Sequence, residues 1–122
     1  MTDVGGNGQF EELTSSATIY EYYRGSIATG RLGSGERLPT VRQVAADLGV
    51  AVGTAARAYR QLEREGLVVT RTGAGTRVAP AASPLPGAIV NAIRELITAT
   101  IRERIPVEEV LAAIRVEAAA RR

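Results

Sequence analysis

Arginine is the side chain through which this sequence can do chemistry. All fifteen of its basic residues are Arg, and the 122 residues include no Lys, His or Cys. A planar guanidinium donates in pairs to phosphate oxygens or to a guanine edge, which suits a polyanionic partner. A genome-wide composition bias explains the same preference equally well. The net charge of +2 is unevenly spread. Residues 1–23 hold four acids and no Arg, residues 24–80 hold nine Arg against four acids, and residues 81–122 come to +1. If Ala55, Ala58, Tyr59 and Leu62 form the buried face of a helix, then Gly53, Arg57, Arg60 and Arg64 fall on the opposite face at 100° per residue. An arginine row of this kind attracts phosphates. The bland alternative is a solvated charged face, with Glu63 and Glu65 within reach of Arg60 and Arg64. Enzymatic chemistry is poorly supported. The commonest general base and zinc ligand is missing, thiolate sites and disulfides are excluded, and no carboxylate pair, nucleophile with a base or metal-ligand cluster stands out. No catalytic residue, metal or cofactor is expected.

The elements that must position these arginines have local signatures. Residues 1–13 are Gly-rich and acidic without periodicity and read as a loose N-terminal arm. Thr14, Ser15 or Ser16 can cap a first helix running to about Thr29, with Ile19, Tyr23 and Ile27 on its core face and Tyr20 and Tyr22 expected to be partly buried. Gly30 closes that helix, and Gly30–Pro39 reads as a turn-rich connector. Thr40 and Gln43 form a Thr-x-x-Gln capping box that starts a second helix, whose Val41, Val44, Ala45 and Leu48 point inward while Arg42 faces away. Gly49 then supplies the turn into the arginine-bearing helix. After Gly66, Leu67–Thr70 and Thr76–Val78 read as two short strands around Arg71-Thr72-Gly73-Ala74-Gly75. Glycines there permit a tight turn and a close approach to phosphate or a minor groove, with Arg71 and Arg77 flanking it. Capped helix, Gly turn, second helix and Gly-tipped hairpin, in this order within 41 residues, predict a winged helix-turn-helix.

Between about residues 26 and 78 the sequence resembles the GntR family of bacterial transcription regulators. Gly35, Leu38, Pro39, Arg42, Leu48, Gly49, Val50, Thr54, Ala58, Leu62, Glu65, Gly66, Leu67, Arg71, Gly73, Gly75, Thr76 and Val78 stand where that family's pattern places them. The resemblance implies that Arg42 reaches bases or phosphate, that Thr54 lies at the groove end of the recognition helix, and that Gly73 to Thr76 make the wing contact. With Thr40, Ala51, Val52, Gly53, Arg57 and Arg71, these are the expected DNA-binding residues. The departures matter as much. Ala51, Val52 and Ala56 stand where the family is usually polar, Thr40 replaces Ser, Ser34 replaces Pro, Ala74 occupies an often basic wing tip, and Arg77 replaces an apolar or aromatic residue. An apolar recognition tip makes few hydrogen bonds to base edges, so the expectation is that Ala51 or Val52 meets thymine methyls while Arg42 supplies the main polar readout.

Beyond Pro80 the run APAASPLPG is a linker, and Pro86 opens a fourth helix to about Arg104. Ile89, Ile93 and Leu96 line one seam of it and Val90, Ile97 and Ile101 a neighbouring one. Pro106 starts a last helix with Val107, Val110, Leu111, Ile114 and Ala118 on one face and Glu108 and Glu109 in its first turn. Two helices this short cannot bury both seams between themselves. A homodimer is expected through Ile89, Val90, Ile93, Leu96, Ile97, Ile101, Val110, Leu111 and Ile114, the rival being packing back onto the winged domain. The full expectation is a mainly α fold with a small β-hairpin: arm 1–13, winged helix-turn-helix 14–80 and helical dimerisation segment 81–122. Within the family, a two-helix tail resembles the YtrA subfamily, which implies repression. Two copies would read a palindromic operator of double-stranded DNA, in the cytoplasm, since no apolar run approaches a membrane span of roughly 20 residues. The tail offers no enclosed pocket, so a small-molecule effector would sit between domains or subunits. The competing class is a winged-helix protein-interaction or non-specific nucleic-acid-binding scaffold, which the apolar tip favours.

Overall fold

The computed structural model describes residues 15–121, so the arm at 1–13 and Thr14 as a cap lie outside the described residues. The chain divides into two compact units after Pro84. The first contains helices α1 (Ser16–Ala28), α2 (Val41–Leu48) and α3 (Val52–Arg64), then strands β1 (Val68–Arg71) and β2 (Gly75–Val78). The second contains α4 (Gly87–Glu103) and α5 (Val107–Ala120).

Each helix start in the first unit follows from its sequence. Ser15 caps α1 by accepting the Thr18 amide. At α2 both halves of the capping box form: the Thr40 hydroxyl accepts the Gln43 amide at 3.0 Å and the Gln43 side chain accepts the Thr40 amide at 2.9 Å. Gly49 ends α2 with φ 69°, the left-handed conformation that the turn into α3 requires. Helices α1 and α2 both pack on α3, which brings Ala55, Ala58, Tyr59 and Leu62 against Ile19, Tyr23, Ile27, Val44 and Ala45. Leu38, Val68 and Val78 close the core from the sheet side.

Two residues depart from the expected burial. Leu48 is 39% exposed and Tyr22 67% exposed, although the first falls on the apolar stripe of α2 and the second was expected to be partly buried. The cause is the packing pattern. Because α1 and α2 both pack mainly on α3, an open groove of about 330 Å³ remains between them, lined by Ile19, Tyr22, Tyr23, Val44, Asp47 and Leu48 among others. Tyr20, by contrast, is buried, and its hydroxyl donates to Glu65 just past α3.

The hairpin is antiparallel, with Val68 opposite Val78 and Arg71 opposite Gly75. The connector before α2 is more ordered than its turn-rich sequence suggests. Gly35 N–H donates to Val78 O at 3.0 Å, Val78 N–H to Glu36 O at 2.8 Å and Leu38 N–H to Thr76 O at 2.8 Å. Arg37 therefore pairs with Arg77 in a single β-bridge, and residues 35–38 line the free edge of β2. The Arg77 guanidinium fastens the same edge, donating to Gly35 O at 3.1 Å. Past β2 the chain stays with this unit: Ala79 N–H reaches Leu67 O, and Ala82 packs on the core.

In the second unit, Pro86 precedes α4 and Pro106 precedes α5. Arg104 joins the two helices in the left-handed region at φ 59°. Val90 and Thr100 are buried, and the Thr100 hydroxyl donates to Ile97 O at 2.7 Å. Much of the apolar surface is not covered. Ile89, Ile93, Leu96, Ile97 and Ile101 on α4 and Leu111 and Ile114 on α5 are all more than a third exposed. An open apolar groove of about 430 Å³ runs between Leu96 and the Val110, Ala113, Ile114 face of α5.

Candidate nucleic-acid interface

The recognition surface is assembled by what lies beneath it. Tyr59 sits on the buried face of α3, and its hydroxyl donates to Pro39 O at 2.7 Å, which ties the reading helix to the residue just before the α2 cap. Its ring meets Tyr23 edge-on at 5.7 Å. Burial, and then the neighbouring Tyr23, hold the Tyr59 proton far above the ordinary tyrosine range, so this link stays protonated at neutral pH. Glu65, through its bond to Tyr20, fixes the other end of α3; that carboxylate is the main reason the Tyr20 proton is also held up. The recognition helix is therefore tied to the start of α2 through Tyr59 and to α1 through Glu65.

On the outer face of α3, Arg57, Arg60 and Arg64 are exposed, as is Arg42 in the first turn of α2. None of them forms an ion pair; among the described residues the one close pair is Arg102 with Glu103, at 3.6 Å on the tail. Glu65, a candidate partner in the sequence, is engaged by Tyr20 and by Gln61 instead. Four guanidiniums without carboxylates leave a surface whose unmet need is an anion.

The tip of the recognition helix is bare. Ala51 holds the extended N-cap conformation, φ −66° and ψ 147°, yet makes no side-chain cap bond. Val52 is 46% exposed, and Gly53 is exposed with open space where a Cβ would stand. Thr54 is half-buried, and its amide bonds back to Ala51 O at 3.0 Å. Such a tip can enter a groove closely and meet thymine methyls, but it offers few polar groups to base edges. The Thr40 hydroxyl accepts the Gln43 amide, which leaves its O–H to donate to a phosphate or base acceptor.

At the wing, Gly73 (φ 81°) and Gly75 (φ 75°) make the turn, and Arg71 is exposed beside them. The Thr76 side chain is buried at 9% and shares a 2.9 Å hydrogen bond with Thr70, so its hydroxyl serves the hairpin. Arg37 was not among the residues picked out from the sequence. Its guanidinium lies against Gly75, within 2.8–3.2 Å of where a Cβ on that glycine would be. A glycine inside a strand signals a close approach by something. Nothing in the sequence says by what, because the approaching residue is 38 positions away.

These features define a winged helix-turn-helix with an arginine-bearing reading face. The gntR family of bacterial regulatory proteins matches residues 15–78, more than half of the chain, and the chain belongs to that family. Over 71 residues it is 44% identical to the HTH-type transcriptional regulator Rv1152 of Mycobacterium tuberculosis, covering 58% of each chain. Over 68 residues it is 35% identical to the HTH-type transcriptional repressor YtrA of Bacillus subtilis, covering 52% of each. The chain thus spans little more than half the length of either relative. Among solved structures, a GntR family transcriptional regulator from Listeria monocytogenes superposes with a TM-score of 0.54 at 27% identity, covering 82% of this chain and 91% of that one. The fold is mainly α, and the relatives named above are transcriptional regulators. Among the described residues, no helix is long and apolar enough to cross a membrane.

Proposed function

We propose that the chain is a cytoplasmic, sequence-specific repressor that binds a palindromic operator as a homodimer. The observation that carries this is the set of exposed arginines on the helix-turn-helix, Arg57, Arg60 and Arg64 on the outer face of α3 and Arg42 in the first turn of α2, without carboxylate partners among the described residues. In this reading Thr40, Arg42, Ala51, Val52, Gly53, Thr54 and Arg57 meet the major groove. Arg71, Gly73 and Gly75 form the wing contact, while Thr76, expected among them, is buried against Thr70 and only shapes the hairpin. Arg42 supplies the polar discrimination and the Ala51 and Val52 side chains meet thymine methyls.

The dimer is supported by the uncovered tail. Ile89, Ile93, Leu96, Ile97, Ile101, Leu111 and Ile114 would each recover burial against a second copy, worth about 1.5–3 kcal/mol for full burial of one such side chain. Val90 is already buried within the chain, and so contributes by shaping the seam rather than by new burial. A two-fold dimer reads half-sites about one helical turn apart, and the second reader supplies the affinity that one module lacks. Repression follows the name of the YtrA relative. No effector is assigned.

Selection from a random duplex pool tests the proposal, with sedimentation at micromolar concentration alongside it. Enrichment of a palindrome by a dimeric species is the expected result. A single polypeptide that binds every sequence alike would instead establish the rival scaffold, which the bare recognition tip favours.

A further inference from the structure

We infer that Arg37, which lies outside the recognition helix, is a DNA-contacting residue, and that together with Arg71 it clamps one phosphodiester at the wing. This rests on the DNA-reading function proposed above and extends it to a residue from the connector.

Three observations converge. The Arg37 guanidinium is laid along Gly75, with Nε 2.8 Å and Nη2 3.0 Å from the position a Cβ would take, so the absence of a side chain at Gly75 is what makes the seat. Strand register puts Arg71 directly opposite Gly75. Side chains of directly opposed residues share a face of the hairpin, so the Arg37 guanidinium occupies the face on which Arg71 stands. Finally, neither cation is satisfied. Among the described residues Arg37 and Arg71 make no ion pair or side-chain hydrogen bond, and the nearest acid in sequence, Glu36, turns its carboxylate to the Gly33 amide. The other wing cation, Arg77, donates to Gly35 O.

Two neighbouring guanidiniums repel each other, and an anion between them removes that repulsion while giving each a charge-assisted hydrogen bond. Pairing of residues 35–38 with β2 holds the Arg37 backbone in place, and contact with Gly75 narrows its rotamers, so less freedom is lost when DNA binds. The wing tip itself is Ala74 and carries no charge. Arg37 restores from the side the positive charge that the tip lacks.

The test measures binding of the full chain to a fluorescent mixed-sequence 40-bp duplex across a salt series, with thermal midpoints for every variant. Wild type, R37Q, R37K, R71Q and R37Q/R71Q are compared. R37Q is expected to bind about tenfold more weakly near 0.15 M salt, and its log–log salt slope is expected to fall by about 0.9 per bound subunit. R37K should recover most of the slope. The double variant should be only slightly weaker than R71Q, because both residues serve one phosphate. R37Q indistinguishable from wild type overturns the inference while leaving the DNA reader intact. A loss in R37Q that tracks a lowered thermal midpoint and is not restored in R37K assigns Arg37 to packing alone and overturns it too. Losses that multiply in the double variant overturn the shared clamp. Wild-type protein without salt-dependent duplex binding overturns the DNA-reading function and this inference with it.

Discussion

Replacing Ala51 by Ser should stabilise the recognition helix without moving it. The backbone at Ala51 already holds φ −66° and ψ 147°, close to the −67° and 158° of Thr40 and the −75° and 162° of Ser15. Those two residues both accept the amide three positions on with a side-chain oxygen, whereas Ala51 has none and the Thr54 amide donates to its carbonyl at 3.0 Å instead. A serine hydroxyl there shares the Thr54 amide with the carbonyl of residue 51 without backbone rearrangement, and such a cap is worth about 1 kcal/mol. In a domain of this size that corresponds to a rise in thermal midpoint of about 4–8 °C. The mirror variant Thr40→Ala removes a cap of the same geometry along with its reciprocal Gln43 bond, and should lower the midpoint by a similar or larger amount. Thermal unfolding followed by far-ultraviolet circular dichroism, at fixed protein concentration, reads both. An A51S midpoint equal to or below wild type while T40A falls as expected would refute the reasoning. It would mean that the bond from the Thr54 amide to the Ala51 carbonyl leaves a side-chain cap nothing to add.

Further outcomes follow from the same geometry. Arg42→Ala should cost about 1–3 kcal/mol of operator binding and relax discrimination at one position; Arg71→Ala should weaken all sequences alike and flatten the salt dependence, as titrations against matched and scrambled duplexes would show. Tyr20, Tyr23 and Tyr59 have their pKa values raised in the folded state above the ordinary value of about 10. Their contribution is therefore complete below that pH and is lost as pH climbs toward the folded values, so the thermal midpoint should hold to about pH 9.5 and then fall. Tyr59→Phe should reduce that alkaline loss while lowering the midpoint at pH 8, because the Pro39 bond goes with it. Ile93→Glu or Ile97→Glu should leave the winged unit folded but shift sedimentation to a single polypeptide and weaken operator binding, whereas a surviving dimer would move the interface elsewhere.

Local chemistry made much of the fold legible from sequence. The Thr40–Gln43 box, the Gly49 turn and the buried row of α3 depend on residues a few positions apart, and each formed as its spacing implied. Features set by distant partners were not legible. Leu48 lies on the apolar stripe of α2, but a stripe tells which way a residue faces and not whether a neighbour covers it; α1 and α2 spread over α3 and leave that end open. The pairing of residues 35–38 with β2 was hidden by a Gly-rich connector whose bonds run some forty residues along the chain. Arg37 was missed for the same reason, its seat being made by Gly75. The division falls after Pro84 and not after residue 80, because Ala82 still packs on the core of the first unit.

The emptiness around Gly53 bears on how such a regulator changes its target. A methyl added there touches nothing, Val52 projects into solvent, and the residues that hold α3 in the domain, Ala55, Ala58 and Leu62, all lie on the other side of the helix. New letters can therefore be written on the exposed end of this rod while the scaffold beneath keeps its shape. Libraries varied at 52 and 53 should yield many well-behaved proteins with altered promoter choice, which makes this domain a convenient chassis for programmable genetic switches.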